Sequence, residues 1–475
     1  MTMARFSRRS LLARSTSAGL VLGTAGWLTA CAAGSRSAHP TAASGAIELS
    51  YAPWGQWQMA GAHWQNFVKQ GLAHFEQANR GIRVNVVAPG GGGGFAPSII
   101  AGSAPDVFED WVMPPYLSQK LVLNLEPYLK RDNLPLSLWS PGQMHAMATE
   151  SGVWFLPCYI HVDTMIINLT DLDNLGVSYP DPAWTYVEAE SLYRRATWDK
   201  GGKHHFGVAL DDMGGRMLGT ASSDTRAYAL EIFGGSVMDA SRTVCTIDDP
   251  RVVQAVTWFD QLYWDKVAGG SNIATNCTFA EFGSNSLVTA FTQYRSQFKW
   301  TFFPIPRYPA GPKCFEATDY HAINATTKHA NEAWALLRFL SAEPYWSRYC
   351  MRSLMRTPSL VSLWPEYVSV VESVAPQAKS VNLQWYVPAA QHWGVAGRTF
   401  KYEHPQAIQI INNALGAAMD RKEGVSIALH SAAQQVNAIE KNAPVLAAAK
   451  AKQVSRAHRL YPTRGPAIAS VPPGV

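Results

Sequence analysis

Several signatures of chemistry are missing from this 475-residue chain. It has no Cys-x-x-Cys pair, no Gly-Lys-Ser or Gly-Lys-Thr behind a glycine run, no Gly-x-Ser-x-Gly turn and no His-Glu-x-x-His helix. Sequence grounds for a zinc cluster, a nucleotide-phosphate loop, a serine hydrolase or a zinc protease are therefore lacking. Charge is sparse at 16% Asp, Glu, Lys and Arg, and the net charge is only +5. No basic stretch is interleaved with aromatics as a nucleic-acid surface requires. Besides Cys31 there are five cysteines, Cys158, Cys245, Cys277, Cys314 and Cys350, widely spaced and odd in number. They read as buried, inert thiols. No cofactor and no metal are expected.

The N-terminus carries an export pattern. Arg8 and Arg9 precede an apolar run from Gly19 to Ala30 that is too short and too rich in Gly, Ser and Thr to span a membrane. The arginine pair points to the twin-arginine route, and Leu28-Thr29-Ala30-Cys31 resembles a bacterial lipobox. Residues 1–30 are thus expected to be a signal peptide and Cys31 the lipidated first residue of the mature chain. Residues 31–46, small and polar, would tether a domain to the cell membrane, facing the periplasm or the exterior. The remainder is long enough for two or three domains. It is also rich in tryptophan, with 17 in the chain. Trp is core material, and it is equally what a sugar cleft needs, because an aromatic face covers the apolar C–H face of a pyranose.

Along the chain, strands alternate with helices. Ile47 to Pro53 reads as a strand leading into Trp54 and Trp57. A helix follows to Asn79 with Phe67, Val68, Leu72 and Phe75 on one face. A second strand covers Ile82 to Val87. Five glycines, Gly90 to Gly94, come next and read as a loop over a cleft. Gly102 and Pro105 stop a short helix, and Asp106 to Phe108 forms a third strand. That strand is expected to run out into Glu109, Asp110 and Trp111. Ligands of open α/β sheets sit at such carboxyl ends, though a plain surface loop would look the same. The order implies right-handed crossovers and a parallel sheet.

Four landmarks carry a resemblance. They are a Phe75-centred helix followed by the strand Arg83 to Val86; Ala101-Gly102-x-x-Pro105-Asp106-Val107; a strand ending in Pro157, then Tyr159 and a second strand ending Ile167-Asn168-x-x-Asp171-Leu172; and Gly176 with Pro182-x-Trp184-Thr185 opening a helix. Asp248-Asp249-Pro250, Tyr320 to Ile323 and the helix from Ala333 to Leu340 extend it. Phe282-Gly283-x-x-Ser286-Leu287-Val288 matches loosely a segment that is a strand in the family. Together these resemble the extracellular solute-binding proteins of ABC importers, in the family serving sugars and glycerol phosphates. The resemblance implies a periplasmic-binding-protein-like α/β fold of two lobes, with a ligand cleft between them and a multi-strand hinge. Lobe 1 would be 47–160 plus 304–345, lobe 2 161–303 plus 346–445, and 446–475 a flexible tail. Pro157 to Asp163 would be the first hinge crossing and Trp300 to Pro306 the return.

Within that frame the candidate contacts are Trp54, Trp57, Trp111 and Tyr159 for stacking and Glu109, Asp110 and His161 for hydroxyls. From lobe 2, Tyr294, Trp300, Trp385 and Trp393 are added, together with Tyr320. Trp64, Trp258 and Trp334 fall on helix stripes and are assigned to the core. His161-x-Asp163 suggests a hinge hydrogen bond rather than a catalytic pair. The function implied is capture of a mono- or oligosaccharide by hinge closure and delivery to a membrane permease, by a monomer and without chemistry on the ligand. Two alternatives remain: the same fold binding glycerol phosphate or a phosphodiester, and an exported carbohydrate-active enzyme. For the latter, Glu109 with Asp110 or Asp211 with Asp212 would have to face each other across a glycosidic bond, which neighbours in one loop rarely do.

Overall fold

The computed structural model describes residues 45–53, 63–87, 94–110, 116–117, 120–149, 152–210, 229–270, 272–294, 298–395 and 405–442. Cys31, the signal, the tether through residue 44, Trp54, Trp57, Trp111, the Asp211-Asp212 pair and the C-terminal tail lie outside them.

Among the described residues, eleven strands form one mixed sheet. They are β1 (Ile47–Ala52), β2 (Ile82–Val86), β3 (Val107–Asp110), β4 (Leu156–Asn168), β5 (Trp198–Lys200), β6 (Lys203–Ala209), β7 (Cys277–Gly283), β8 (Trp300–Phe303), β9 (Cys314–Ile323), β10 (Thr357–Pro358) and β11 (Gly394–Val395). The main order is β2-β1-β3-β9-β4-β7-β6-β5; β8 and β10 also pair with β4, and β11 with β9. As the alternation of strands and helices predicts, β1 pairs in parallel with both β2 and β3. The helix His63–Ala78 crosses between β1 and β2, burying Phe67, Val68, Leu72 and Phe75.

The joint of the molecule is β4. Its near-continuous apolar run is buried along almost its whole length, as a strand covered on both faces should be. Residues Leu156 to Val162 pair with β9, while Asp163 to Ile167 pair with β7 and Met165 to Asn168 with β8. One continuous strand, not two separated by a passage, therefore ties the β1–β3 lobe to the β5–β8 lobe, with β9 running antiparallel beside it.

Local signals hold the helices. Asp249 caps the helix Pro250–Trp264 by accepting from Arg251 N at 2.8 Å, with proline in the first turn. Val252, Ala255, Val256, Phe259 and Leu262 form its buried stripe. Thr185 and Glu188 make a reciprocal capping box on the helix Tyr186–Arg195. The segment that loosely matched a family strand differs from it: Ser284 to Gln293 is helical, and Phe282-Gly283 ends a strand. The five described cysteines are buried and free, as their spacing suggests. Among the described residues no helix is long and apolar enough to cross a membrane.

Candidate functional site

The third strand runs two residues further than the sequence suggests, and this changes the role of Glu109. Glu109 and Asp110 pair with His321 and Tyr320 of β9, which closes over the strand end. Opposed residues of an antiparallel pair share a face, so Glu109 and His321 look one way and Asp110 and Tyr320 the other.

On the Glu109 side lies a buried polar network. The pairing of β4 with β9 slips so that Asp319 faces Tyr159 while Tyr320 faces Pro157, leaving Cys158 as an extra, bulged residue. Pro157 has no N–H to give the ladder, which suits it to a bulge. Regular alternation would send Cys158 and Tyr159 to opposite faces; with the bulge both reach the Glu109–His321 side. Tyr159 Oη lies 2.8 Å from Glu109 Oε1 and 2.9 Å from Asp319 Oδ2. His161 Nε2 stands 3.5 Å from Asp319, and Arg356 lies 3.4 Å from His161 Nδ1 and 5.0 Å over the Tyr159 ring. Burial alone would push Asp319 up, but His161 and Arg356 hold it below the ordinary carboxylate range.

Glu109, Cys158 and His321 also bring three metal-ligand atom types within 4.8 Å of one another. The imidazole is already engaged: Tyr51 Oη meets Nε2 at 3.0 Å, and Ser341 Oγ and Cys158 Sγ meet Nδ1 at 2.8 and 2.9 Å. Burial drives His321 down to about 3 and the Cys158 thiol well up, so both are neutral. Neutral, mutually bonded groups make a satisfied polar core.

On the other face, Asp110 accepts from Tyr116 Oη, whose oxygen in turn accepts from Phe95 N at 2.6 Å. Tyr320 Oη is buried with no partner among the described residues. A carboxylate, a phenol and an uncommitted hydroxyl thus cluster where the chain leaves β3 toward Trp111.

A second feature is aromatic. Trp385 and Trp393 stack with ring centroids 6.3 Å apart and planes 24° apart, and both are half-buried. They sit on the short helical turns between Leu383 and Trp393, directly before β11.

Several expected contacts are placed in the interior. Tyr294 and Trp300 belong to an aromatic core, with Trp300 Nε1 donating to the Tyr294 carbonyl at 3.1 Å and stacking edge-on against Phe302. Burial raises the Tyr294 phenol to about 12. Glu109, Tyr159 and Tyr320 are buried by strand pairing that joins distant segments. His161 is half-buried and meets Asp319 across the joint. Trp334 is core, as expected, while Trp258 is half-buried and donates to Glu190 at 2.8 Å. The residues that sequence reasoning missed are Tyr116, Asp319, His321 and Arg356. None of the four had a local signal; only the bulge that gathers their network did, in Pro157. A cavity of roughly 140 Å³ lies in the other lobe, lined by Asn272, Glu281, Ser286, Thr289, Gln293 and Tyr294 among others, with no residue of β1, β3 or β9 in its wall.

The fold has many relatives of known structure. A cyclic α-maltosyl-1,6-maltose binding protein from Arthrobacter globiformis aligns with a TM-score of 0.68 at 16% identity, over 84% of this chain and 100% of that one. The sugar-binding protein MalE from Xanthomonas citri gives 0.66 at 14%, over 88% and 100%. The ABC substrate-binding protein Lmo0181 from Listeria monocytogenes, solved with cycloalternan, gives 0.65 at 16%, over 83% and 99%. No curated protein matches the sequence. The profile of the bacterial extracellular solute-binding proteins matches residues 55–345, more than half of the chain, and the protein belongs to that family.

Proposed function

We propose that this protein is the carbohydrate-capturing component of an ABC importer, binding a mono- or oligosaccharide between its lobes and handing it to a membrane permease unchanged. The observation that carries the reading is the half-buried Trp385–Trp393 stack beside the joint. A sugar's apolar C–H face covers an indole, and its hydroxyl rim needs fixed acceptors and donors. Asp110, at the end of β3 and next in sequence to Trp111, is proposed as an acceptor for the rim. Trp54, Trp57 and Trp111, which follow β1 and β3 in sequence, are proposed as further plates. The ligands named for the Arthrobacter and Listeria proteins, both cyclic oligosaccharides, support the same class.

Closure would follow from differential affinity. A sugar touching both lobes favours the closed arrangement by the contacts it gains there, with β4 and β9 as the bending strands. The lobes would divide as 47–160 plus 304–345 and 161–303 plus 346–445. Export by the twin-arginine route, anchoring through a lipid on Cys31 and a monomeric state complete the proposal. A thermal-shift screen of the purified protein against mono- and oligosaccharides tests it, since a true ligand raises the melting temperature with concentration. Glycerol phosphate in the same screen separates the phosphate-ester reading. Release of free sugar from a labelled oligosaccharide would instead identify an enzyme.

A further inference from the structure

A buried carboxyl sits where the aromatic pair joins the sheet. Glu316 of β9 is 4% exposed. Its Oε1 accepts from Ser140 Oγ at 2.7 Å and from Gln143 Nε2 at 3.0 Å, both at the start of the helix Pro141–Met147. Its Oε2 lies in a slot between two glycines. A Cβ at Gly142 would stand 2.6 Å from that oxygen, and one at Gly394 would overlap it. Neither approach is possible for a residue with a side chain unless the carboxyl moves. Gly394 has ordinary extended backbone, φ −60° and ψ 129°, so what the position requires is the missing Cβ and not a special dihedral.

Burying this carboxyl has a cost. Loss of water raises its pKa, and the Ser140 and Gln143 hydrogen bonds only partly oppose the shift. An apolar side chain would avoid that cost, but it would not gather three segments at one point. Those segments are the helix Pro141–Met147, strand β9 and strand β11, whose Gly394 and Val395 pair with Cys314 and Phe315. Trp393 immediately precedes Gly394.

We propose that Glu316 is the positioning residue of the aromatic platform: wedged between Gly142 and Gly394, it fixes where Trp393 leaves the sheet and so sets its stack on Trp385. The consequence for affinity rests on the carbohydrate reading above, whereas the positioning of the two indoles does not depend on it.

The experiment separates the two. Stacked indoles give an exciton-coupled band in far-ultraviolet circular dichroism, and Trp385→Phe and Trp393→Phe in the full mature chain identify that band. Glu316→Gln keeps the size and the acceptor for Ser140 and Gln143, and it should retain the band. Glu316→Ala and Gly394→Ala should lose at least about half of it and weaken oligosaccharide binding about tenfold, the weight of one well-placed contact. Where Glu316→Ala does not fold, Gly394→Ala, which leaves the carboxyl present but displaced, carries the test. Folded Glu316→Ala or Gly394→Ala proteins with the full band would overturn the proposal. Loss of the band in a protein whose wild type binds no sugar would support the positioning and reject only the ligand class.

Discussion

Glu109 and Asp319 converge on one phenol. Tyr159 Oη lies within 2.9 Å of a carboxyl oxygen of each, and all three residues are buried. One hydroxyl hydrogen cannot serve two carboxylates, so both contacts are hydrogen bonds only if a carboxyl contributes a second proton. Burial and the two neighbouring carboxyls hold the phenol itself well above its ordinary range.

Removing that hydroxyl should be expensive. Tyr159→Phe removes the donor that the two buried carboxyls share, and a loss of about 2–4 kcal/mol is expected from denaturant unfolding. A loss below about 0.5 kcal/mol would show that the three groups are not coupled as their geometry implies.

His321 predicts a pH dependence. The unfolded imidazole takes its proton near the ordinary 6.5, and the folded one only near about 3. Between those limits the unfolded chain binds more protons, so the contribution is full above pH 6.5 and drains away as pH falls toward 3. Urea midpoints measured from about pH 7 down to about pH 4 should decline, and His321→Gln should flatten that decline. An unchanged slope in the variant would assign the acid sensitivity to other groups.

The Asp249 cap makes a local prediction. Asp249→Ala removes the acceptor for Arg251 N and should lower stability by about 1 kcal/mol, while Asp249→Asn should keep most of it. The hydrogen bonds from Arg251 hold the Asp249 carboxyl down at about 2. Its contribution is therefore present above pH 3.8 and lost as pH falls through about 2. Equal stability of the Ala and Asn variants would mean that the side-chain acceptor does not matter there.

What was legible in the sequence is mostly local. The parallel β1–β3 unit, the Asp249-Pro250 helix start and the burial of the cysteines follow from periodicity, capping chemistry and composition. The burial of Glu109, Tyr159 and Tyr320 has one cause: β9, from far along the chain, pairs with the end of β3 and with β4 and places all three in the sheet interior. Long-range pairing leaves no trace in a local pattern. The same holds for Tyr294 and Trp300, whose aromatic neighbours Phe302 and Phe291 made an equally good core as a cleft. The bulge at Cys158 is the intermediate case. Pro157 signals a break in the ladder, yet only the pairing with β9 shows which side chains it redirects.

The central claim is that the half-buried Trp385–Trp393 pair receives a sugar, and calorimetric titration of the purified protein with linear and cyclic oligosaccharides tests it most directly. The account predicts saturable one-site binding of at least one such sugar, weakened about tenfold or more in Trp385→Ala and Trp393→Ala. Absence of binding across these sugars, or binding that both substitutions leave unchanged, would contradict it.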